Sequence, residues 1–284
     1  MSTHMTRNDI RRTLKTYYDS SDPYLRRMSA HGEAYFRPLL NMISRFAHTG
    51  SGRLLDVGCG AGVSTFLIAG RFPGLSVLGV DLSSKFIEHA RGRFKADNLA
   101  YQQMDACEIS LPDESVDVVV SQDMVEHLPH PEAFLAGSHR ILRPGGLFIL
   151  LAPNLLNPLG PMIAVLRRQR WRGRKLSVLS AAARSVGLFR LYFSKRLGRG
   201  YTFTNANPVL DDSIQVGADA DAVYLSNPLD LRAYFREKRY EILNLLNPVT
   251  HKQKLIRAVC RYWAPVGLAA RKPPVPPPSC DDEG

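Results

Sequence analysis

The stretch Leu54-Leu55-Asp56-Val57-Gly58-Cys59-Gly60-Ala61-Gly62 decides the fold. A short apolar run leads directly into three glycines, and the residues that follow, 62 to 71, have helical length and composition. Glycines at such a junction let the backbone turn tightly and let a ligand approach the main chain. The free N–H groups of the following helix then offer a seat to a negative group. Dinucleotide-binding folds use a similar loop, but their G-x-G-x-x-G spacing lacks its third glycine here, because position 63 is Val.

Outward from this loop, short apolar runs near 53–57, 75–80, 99–104, 116–121 and 146–152 alternate with helix-length segments near 62–71, 84–96 and 131–142. A parallel sheet buried on both faces, with crossover helices, produces that alternation. The expected fold is therefore α/β, a doubly wound and mainly parallel sheet. Asp81 closes the second strand in Gly79-Val80-Asp81-Leu82-Ser83, where a carboxylate can accept from both hydroxyls of a ribose. Asp105 closes the third strand in Gln103-Met104-Asp105-Ala106, at the height of a bound purine and its exocyclic amine. Leu142-Arg143-Pro144-Gly145-Gly146 ends a helix and opens the fifth strand.

With these four motifs in this order, the segment from about 50 to 155 resembles the class I S-adenosylmethionine-dependent methyltransferases. Within that family it is similar to the broad group that includes the ubiquinone-biosynthesis O-methyltransferases; the resemblance weakens over 222–247 and is absent between. It implies a Rossmann-like methyltransferase fold and S-adenosyl-L-methionine as cofactor. By the same resemblance, Gly58 and Gly60 lie against the methionine part, Asp81 holds the ribose and Asp105 contacts the adenine. Asp56 then acts near the methionine amino group, directly or through water.

Ser121-Gln122-Asp123-Met124-Val125-Glu126-His127-Leu128 leaves the C-terminal end of strand four, the edge where ligands sit in an open α/β sheet. The resemblance makes Ser121 and Gln122 cofactor contacts. Some relatives carry Glu-x-x-Glu-His at this place and hold a divalent cation with it. In this chain the first Glu is replaced by Asp123, so either Asp123, Glu126 and His127 form a metal set, or Glu126 and His127 cap or brace the turn at Pro129. His127 is also a candidate general base, since an imidazole suits removal of a hydroxyl proton near neutral pH.

The whole chain carries a formal charge of +11, an excess that points to a polyanionic partner, either nucleic acid or an anionic membrane surface. From Ala133 to Leu210 there are 13 Lys and Arg and no acid, which leaves 24 basic against 26 acidic residues elsewhere. The excess therefore belongs to one stretch. Within it Leu159–Leu166 precedes Arg167, Arg168, Arg170, Trp171, Arg172, Arg174 and Lys175. A helix over 179–197 sets Leu179, Val186, Phe189, Phe193 and Leu197 on one face, and Arg184 and Lys195 on the other. Three readings stay open for this insert: a membrane-interface lid admitting a lipid-like acceptor, an RNA-binding face, or a plain substrate-covering element with a solvated basic side.

The 284 residues, 45% hydrophobic and 22% charged, can bury a core without disulfides and exclude a disordered or collagen-like chain. Cys59, Cys107, Cys260 and Cys280 fit neither a zinc cluster nor a disulfide framework, and no apolar run follows the first arginines. A cytoplasmic protein is expected, peripheral on the inner membrane face if the lid reading holds. Residues 9–47 read as two helices broken at Asp19-Ser-Ser-Asp-Pro23, with Tyr17, Tyr18 and Tyr35 covering the site. A helix follows Asn227-Pro228 to about Lys238, then a strand at 240–247, while 254–263 is either the last strand or a terminal helix.

The expected organisation is thus a helical cap (1–48), a cofactor-binding core (49–154), a basic substrate-covering or membrane-interface insert (155–221), the C-terminal part of the core (222–271) and a disordered tail (272–284). The expected function is O-methylation of a hydrophobic or lipid-linked small molecule. The alternatives are an RNA methyltransferase and a non-catalytic cofactor-binding scaffold.

Overall fold

Strand β1 (Gly52–Val57) lies between β2 (Leu75–Asp81) and β4 (Val116–Gln122), parallel to both. The computed structural model describes residues 6–198, 200–205, 208–210, 220–246 and 265–274. Within them β3 (Leu99–Gln103) extends the sheet beyond β2, and β5 (Leu142–Ala152) extends it beyond β4. Strand β7 (Val266–Arg271), antiparallel to both its neighbours, and then β6 (Glu241–Leu246), which again runs in the direction of β5, complete the order β3-β2-β1-β4-β5-β7-β6.

The strands are near-continuous apolar runs because both faces are covered. Leu54, Val118, Leu147, Ile149 and Ala269 point to one face, where α3 (Glu33–Phe46) and α4 (Val63–Arg71) supply Leu39, Ile43, Ile68 and Ala69. Leu55, Val119, Phe148, Leu150 and Leu268 point to the other. There α6 (Pro131–Ile141) and α9 (Pro228–Glu237) bring Phe134, Leu135, Leu231 and Phe235. Helix α5 (Ser84–Arg93) packs against β3 through Ile87 and Ala90. The alternation of side chains along each strand thus builds two cores from one sheet.

The N-terminal segment forms three helices where the sequence suggested two: α1 (Arg7–Ser20), α2 (Asp22–Ser29) and α3. Ser21 ends the first and caps the second, its hydroxyl accepting from the Tyr24 amide at 3.1 Å, and Pro23 fits the first turn of α2. The further break falls at residues 30–32, before Gly32 caps α3.

The candidate segment 254–263 lies outside the described residues, as do Cys260, Cys280 and the end of the chain from 275. The described seventh strand is Val266-Gly-Leu-Ala-Ala-Arg271, whose glycine and alanines carry poor strand propensity. Its position between β5 and β6 overrides that propensity. At the other edge of the β4–β5 pairing, Leu142 pairs with Val116 and Leu147 with Val118, so residues 143–146 are accommodated as an irregularity in which Gly145 takes a φ of 76°.

Two helices stand in the basic stretch, α7 (Gly160–Leu166) and α8 (Val178–Leu197). Lys195 does not belong to a solvated face: its side chain is 4% exposed and its ammonium donates to both carboxylate oxygens of Asp230, at 2.9 and 2.8 Å. Tyr224 and Asn227 donate to the same carboxylate. A buried charge needs a partner, and this one ties α8 to the first turn of α9.

Candidate active site

The C-terminal ends of β1 and β4 lie side by side, and the chain leaves them in different directions, which opens a crevice between their loops. One cavity there is lined by Asp56, Gly58, Gly60, Asp81, Asp105 and Gln122, together with Asp123, Met124 and His127. Its far wall comes from the N-terminal helices through Tyr18, Tyr24, Met28, His31, Tyr35 and Phe36.

The glycine loop is pinned to β2 by the Gly58 and Cys59 amides, which donate to the Val80 carbonyl at 2.8 and 3.0 Å. Gly58 and Gly60 both adopt positive φ, 76° and 53°, but their surroundings differ. A Cβ on Gly58 would sit 2.3 Å from Cγ of Met124, whereas a Cβ on Gly60 would meet nothing within 4 Å. Gly58 is thus needed for packing, and Gly60 faces open space.

Asp81 accepts the Gly60 amide on one oxygen and the Ser83 amide on the other, each at 2.9 Å. Each oxygen keeps a lone pair for a further donor. Burial pushes this carboxyl up to about 6, against the lowering pull of the two amides. Asp56, 2% exposed, accepts from the Ser64 and Thr65 hydroxyls at 2.7 and 2.8 Å, so it braces the start of α4 while also lining the cavity. Asp105 accepts the Cys107 amide at 2.7 Å and ion-pairs with Arg11 of α1, whose guanidinium also reaches Glu108 at 2.8 Å.

Ser121 is not brought into the cavity wall. Strand alternation puts its side chain on the face shared with Val119, where it is 1% exposed, while the neighbouring Gln122 lines the cavity.

Beyond β4, Asp123 takes a φ of 50° and accepts a hydrogen bond from the Tyr35 hydroxyl. Burial raises the carboxyl of Asp123. A single helical turn, Val125–His127, follows. Glu126 is wholly buried, and its backbone carbonyl accepts the amides of Val223 and Tyr224 at 2.7 and 2.8 Å. Asp123, Glu126 and His127 do not assemble into a metal site, since no three His, Cys, Asp or Glu side chains among the described residues come together to hold an ion. Tyr35 engages Asp123 instead, and Glu126 turns into the protein.

Tyr18 and Tyr35 are where the sequence suggested, over the cavity. Tyr24, Arg11 and Asp221 were not legible. Asp221 accepts from the Tyr18 and Tyr24 hydroxyls at 3.0 and 3.1 Å and lies 3.4 Å from Nδ1 of His127. Its surroundings in sequence, Ala218-Asp-Ala-Asp221-Ala, carry no local signal for such a place.

The glycine cradle with its open face, the two-oxygen seat of Asp81 and the rim position of Asp105 fit an adenosyl group with a polar tail. Comparison with known proteins agrees. Residues 55–150 match the family model described as a methyltransferase domain. A probable S-adenosylmethionine-dependent methyltransferase of Mycolicibacterium smegmatis is 36% identical over 121 residues, 42% of this chain and 46% of that protein. A ubiquinone biosynthesis O-methyltransferase of Pseudomonas aeruginosa is 32% identical over 145 residues, 47% of this chain and 61% of that one. The chain thus spans about half the length of the curated relatives it matches. Among solved structures, magnesium protoporphyrin IX methyltransferase from Synechocystis, with S-adenosylhomocysteine bound, shares the fold at a TM-score of 0.55 and 15% identity, covering 92% of this chain and 99% of that one. Fold, crevice, loop and sequence kinship agree, and the α/β core of this chain belongs to the class I S-adenosylmethionine-dependent methyltransferases.

Proposed function

We propose that the chain transfers a methyl group from S-adenosylmethionine to an oxygen of a hydrophobic or lipid-linked small molecule, and that it does so against an anionic membrane surface. The observation that carries this reading is one continuous cavity with an acidic, glycine-lined end and an aromatic end. The first end suits the cofactor, and the second an apolar acceptor. The relative named for ubiquinone biosynthesis supports an oxygen acceptor.

In this reading Gly58 and Gly60 present backbone to the methionine part, Asp81 accepts from the ribose hydroxyls and Asp105 from the adenine amine. Asp56 and Gln122 lie along the amino-acid tail. The bound cofactor supplies a methyl group on a positively charged sulfur, which is already activated. The chain's task is to align the acceptor oxygen with it and to exclude water. Helices α1 to α3 close over the crevice for that purpose. His127, whose ring lines the cavity, takes the acceptor's hydroxyl proton as the oxygen forms its bond to carbon.

The basic stretch supports the membrane part. Of the ten exposed large apolar side chains among the described residues, eight (Leu159, Ile163, Leu166, Val178, Leu179, Val186, Phe193 and Leu197) fall in it, so the exposure is concentrated in one place. Leu179, Val186, Phe193 and Leu197 form a stripe on α8 away from Ala181, Ser185, Leu188 and Tyr192, which pack inward. Exposed arginines at 167, 168, 170 and 174 stand beside it. No helix among the described residues is long and apolar enough to cross a membrane, so contact would be in the plane of the surface.

The test uses the full chain. It should bind labelled cofactor and pellet with phosphatidylglycerol-containing vesicles more than with tRNA, losing about tenfold in vesicle affinity on Leu179→Glu plus Phe193→Glu. Label should pass to an organic extract of membranes, and His127→Ala should slow that transfer. Failure to bind cofactor refutes the enzyme reading, preference for tRNA refutes the lipid reading, and unchanged transfer by His127→Ala refutes the base.

A further inference from the structure

The imidazole of His127 is held between the cavity and the interior. Its Nδ1 is buried and makes no hydrogen bond among the described residues; the acceptor facing it is one oxygen of Asp221, Oδ2, at 3.4 Å. That same oxygen accepts from the Tyr18 hydroxyl at 3.0 Å and from the Tyr24 hydroxyl at 3.1 Å. Burial, with the Asp221 carboxylate next in weight, holds both phenols far above their ordinary range, so they remain donors. Three elements distant in sequence thus converge on one carboxylate: α1, α2 and the turn after β4.

Asp221 is itself fixed from behind. Two residues on, the Val223 and Tyr224 amides both donate to the Glu126 carbonyl, the residue immediately before His127. Val223 is fully buried against Ile10 and Leu14 of α1. The chain carrying Asp221 is therefore stitched to the turn carrying His127 and to the helix carrying Tyr18. The other ionisable groups around the ring are the Glu126 carboxylate, whose Oε1 lies 3.8 Å from Nε2, and the buried Asp123 with its Tyr35 partner. The 3.8 Å separation of Glu126 Oε1 from Nε2 is longer than a hydrogen bond.

We infer that Asp221 is a positioning residue for His127: it keeps the neutral ring's proton on Nδ1 and so leaves the Nε2 lone pair for the acceptor hydroxyl. This inference rests on the reading of His127 as base. The acceptor's O–H proton passes to Nε2 as the oxygen's electron pair forms the new O–C bond, and the C–S bond breaks with its pair going to sulfur. The ring becomes an imidazolium beside the Asp221 carboxylate, and its extra proton leaves to water when product departs. Tyr18 of α1 and Tyr24 of α2 hold the Asp221 carboxylate in addition to the backbone bonds to the Glu126 carbonyl, so the helices that cover the cavity also help to orient the base.

The experiment needs no acceptor. Full-length chain with nitrogen-15-labelled histidine, saturated with S-adenosylhomocysteine near pH 8, is examined by long-range proton–nitrogen correlation, and the His127 signals are assigned by their loss in His127→Gln. The wild type should show His127 protonated on Nδ1, against the Nε2–H form that a free imidazole favours. Asp221→Asn should shift the ratio of the two forms by about tenfold toward Nε2–H. Asp221→Glu should restore Nδ1–H in part, and Tyr18→Phe with Tyr24→Phe should fall between, since Asp221 stays but is held less firmly. S-adenosylhomocysteine affinity, measured by calorimetry, should change less than threefold in Asp221→Asn and Asp221→Glu, whose side chain does not line the cavity, which shows that the fold is intact. An Nε2–H ring in the wild type, or a ratio unmoved by Asp221→Asn, overturns the inference. The base reading fails separately, through unchanged methyl transfer by His127→Ala, and that result leaves the tautomer measurement standing on its own.

Discussion

Lowering the pH should weaken cofactor binding through Asp81, and the size of the effect follows from its surroundings. Its carboxyl stands near 6 because burial disfavours the charge more than the Gly60 and Ser83 amides favour it. Ribose hydroxyls donate best to the ionised form, so binding should draw the carboxyl back toward its ordinary value near 4. With a free-protein value of about 6, one carboxyl in about eleven is ionised at pH 5 and nearly all are at pH 7.5. The affinity for S-adenosylhomocysteine should therefore fall by about tenfold across that interval.

Asp81 acts on the stability of the ligand-free protein in the opposite sense. Its folded-state value lies above its unfolded one, so its contribution is complete below about pH 4 and lost as the pH rises through 6. Calorimetric titration with S-adenosylhomocysteine from pH 5 to 8, beside Asp81→Asn, is the assay. The variant should bind more weakly at neutral pH and show a much flatter profile. A wild-type affinity constant across this range, or a slope equally steep in Asp81→Asn, would refute the assignment of Asp81 to the ribose seat.

Other substitutions separate packing from binding. Gly58→Ala forces Met124 aside in a left-handed backbone and should cost about 2–4 kcal/mol of stability, read in thermal or denaturant unfolding. Gly60→Ala should cost only about 1 kcal/mol, yet weaken cofactor binding by at least about tenfold, because its methyl enters open cavity space. Lys195→Met leaves the Asp230 carboxylate buried without its cation and should destabilise by about 3–5 kcal/mol. Adding Asp230→Leu should recover part of that loss, and strict additivity of the two would show that the pair is not coupled.

Some of this was written in local sequence. The run Leu54–Gly62 and the carboxylates closing β2 and β3 announce themselves because strand, turn and acid follow one another within a few residues, where spacing and chemistry coincide. The sequence placed Asp81, Asp105, Gly58 and Gly60 around one crevice, and the structure brings them together there. Alternation along β4 then sorted its neighbours, admitting Gln122 and turning Ser121 inward, which depends on strand phase rather than residue type.

What the sequence by itself determined is the α/β order, the glycine loop with the carboxylates that close β2 and β3, and the concentration of positive charge between 133 and 210, since these depend on residues near one another in the chain. What only the tertiary structure decided depends on residues far apart. Lys195 looked like a solvated cation until Asp230, 35 positions on, was seen to hold it in the interior. Val266–Arg271, rich in glycine and alanine, becomes β7 because β5 and β6 enclose it. Asp221 meets Tyr18 across 203 residues and Tyr24 across 197. No spacing rule reaches that far, because contacts of such separation are set by how the helices close over the sheet.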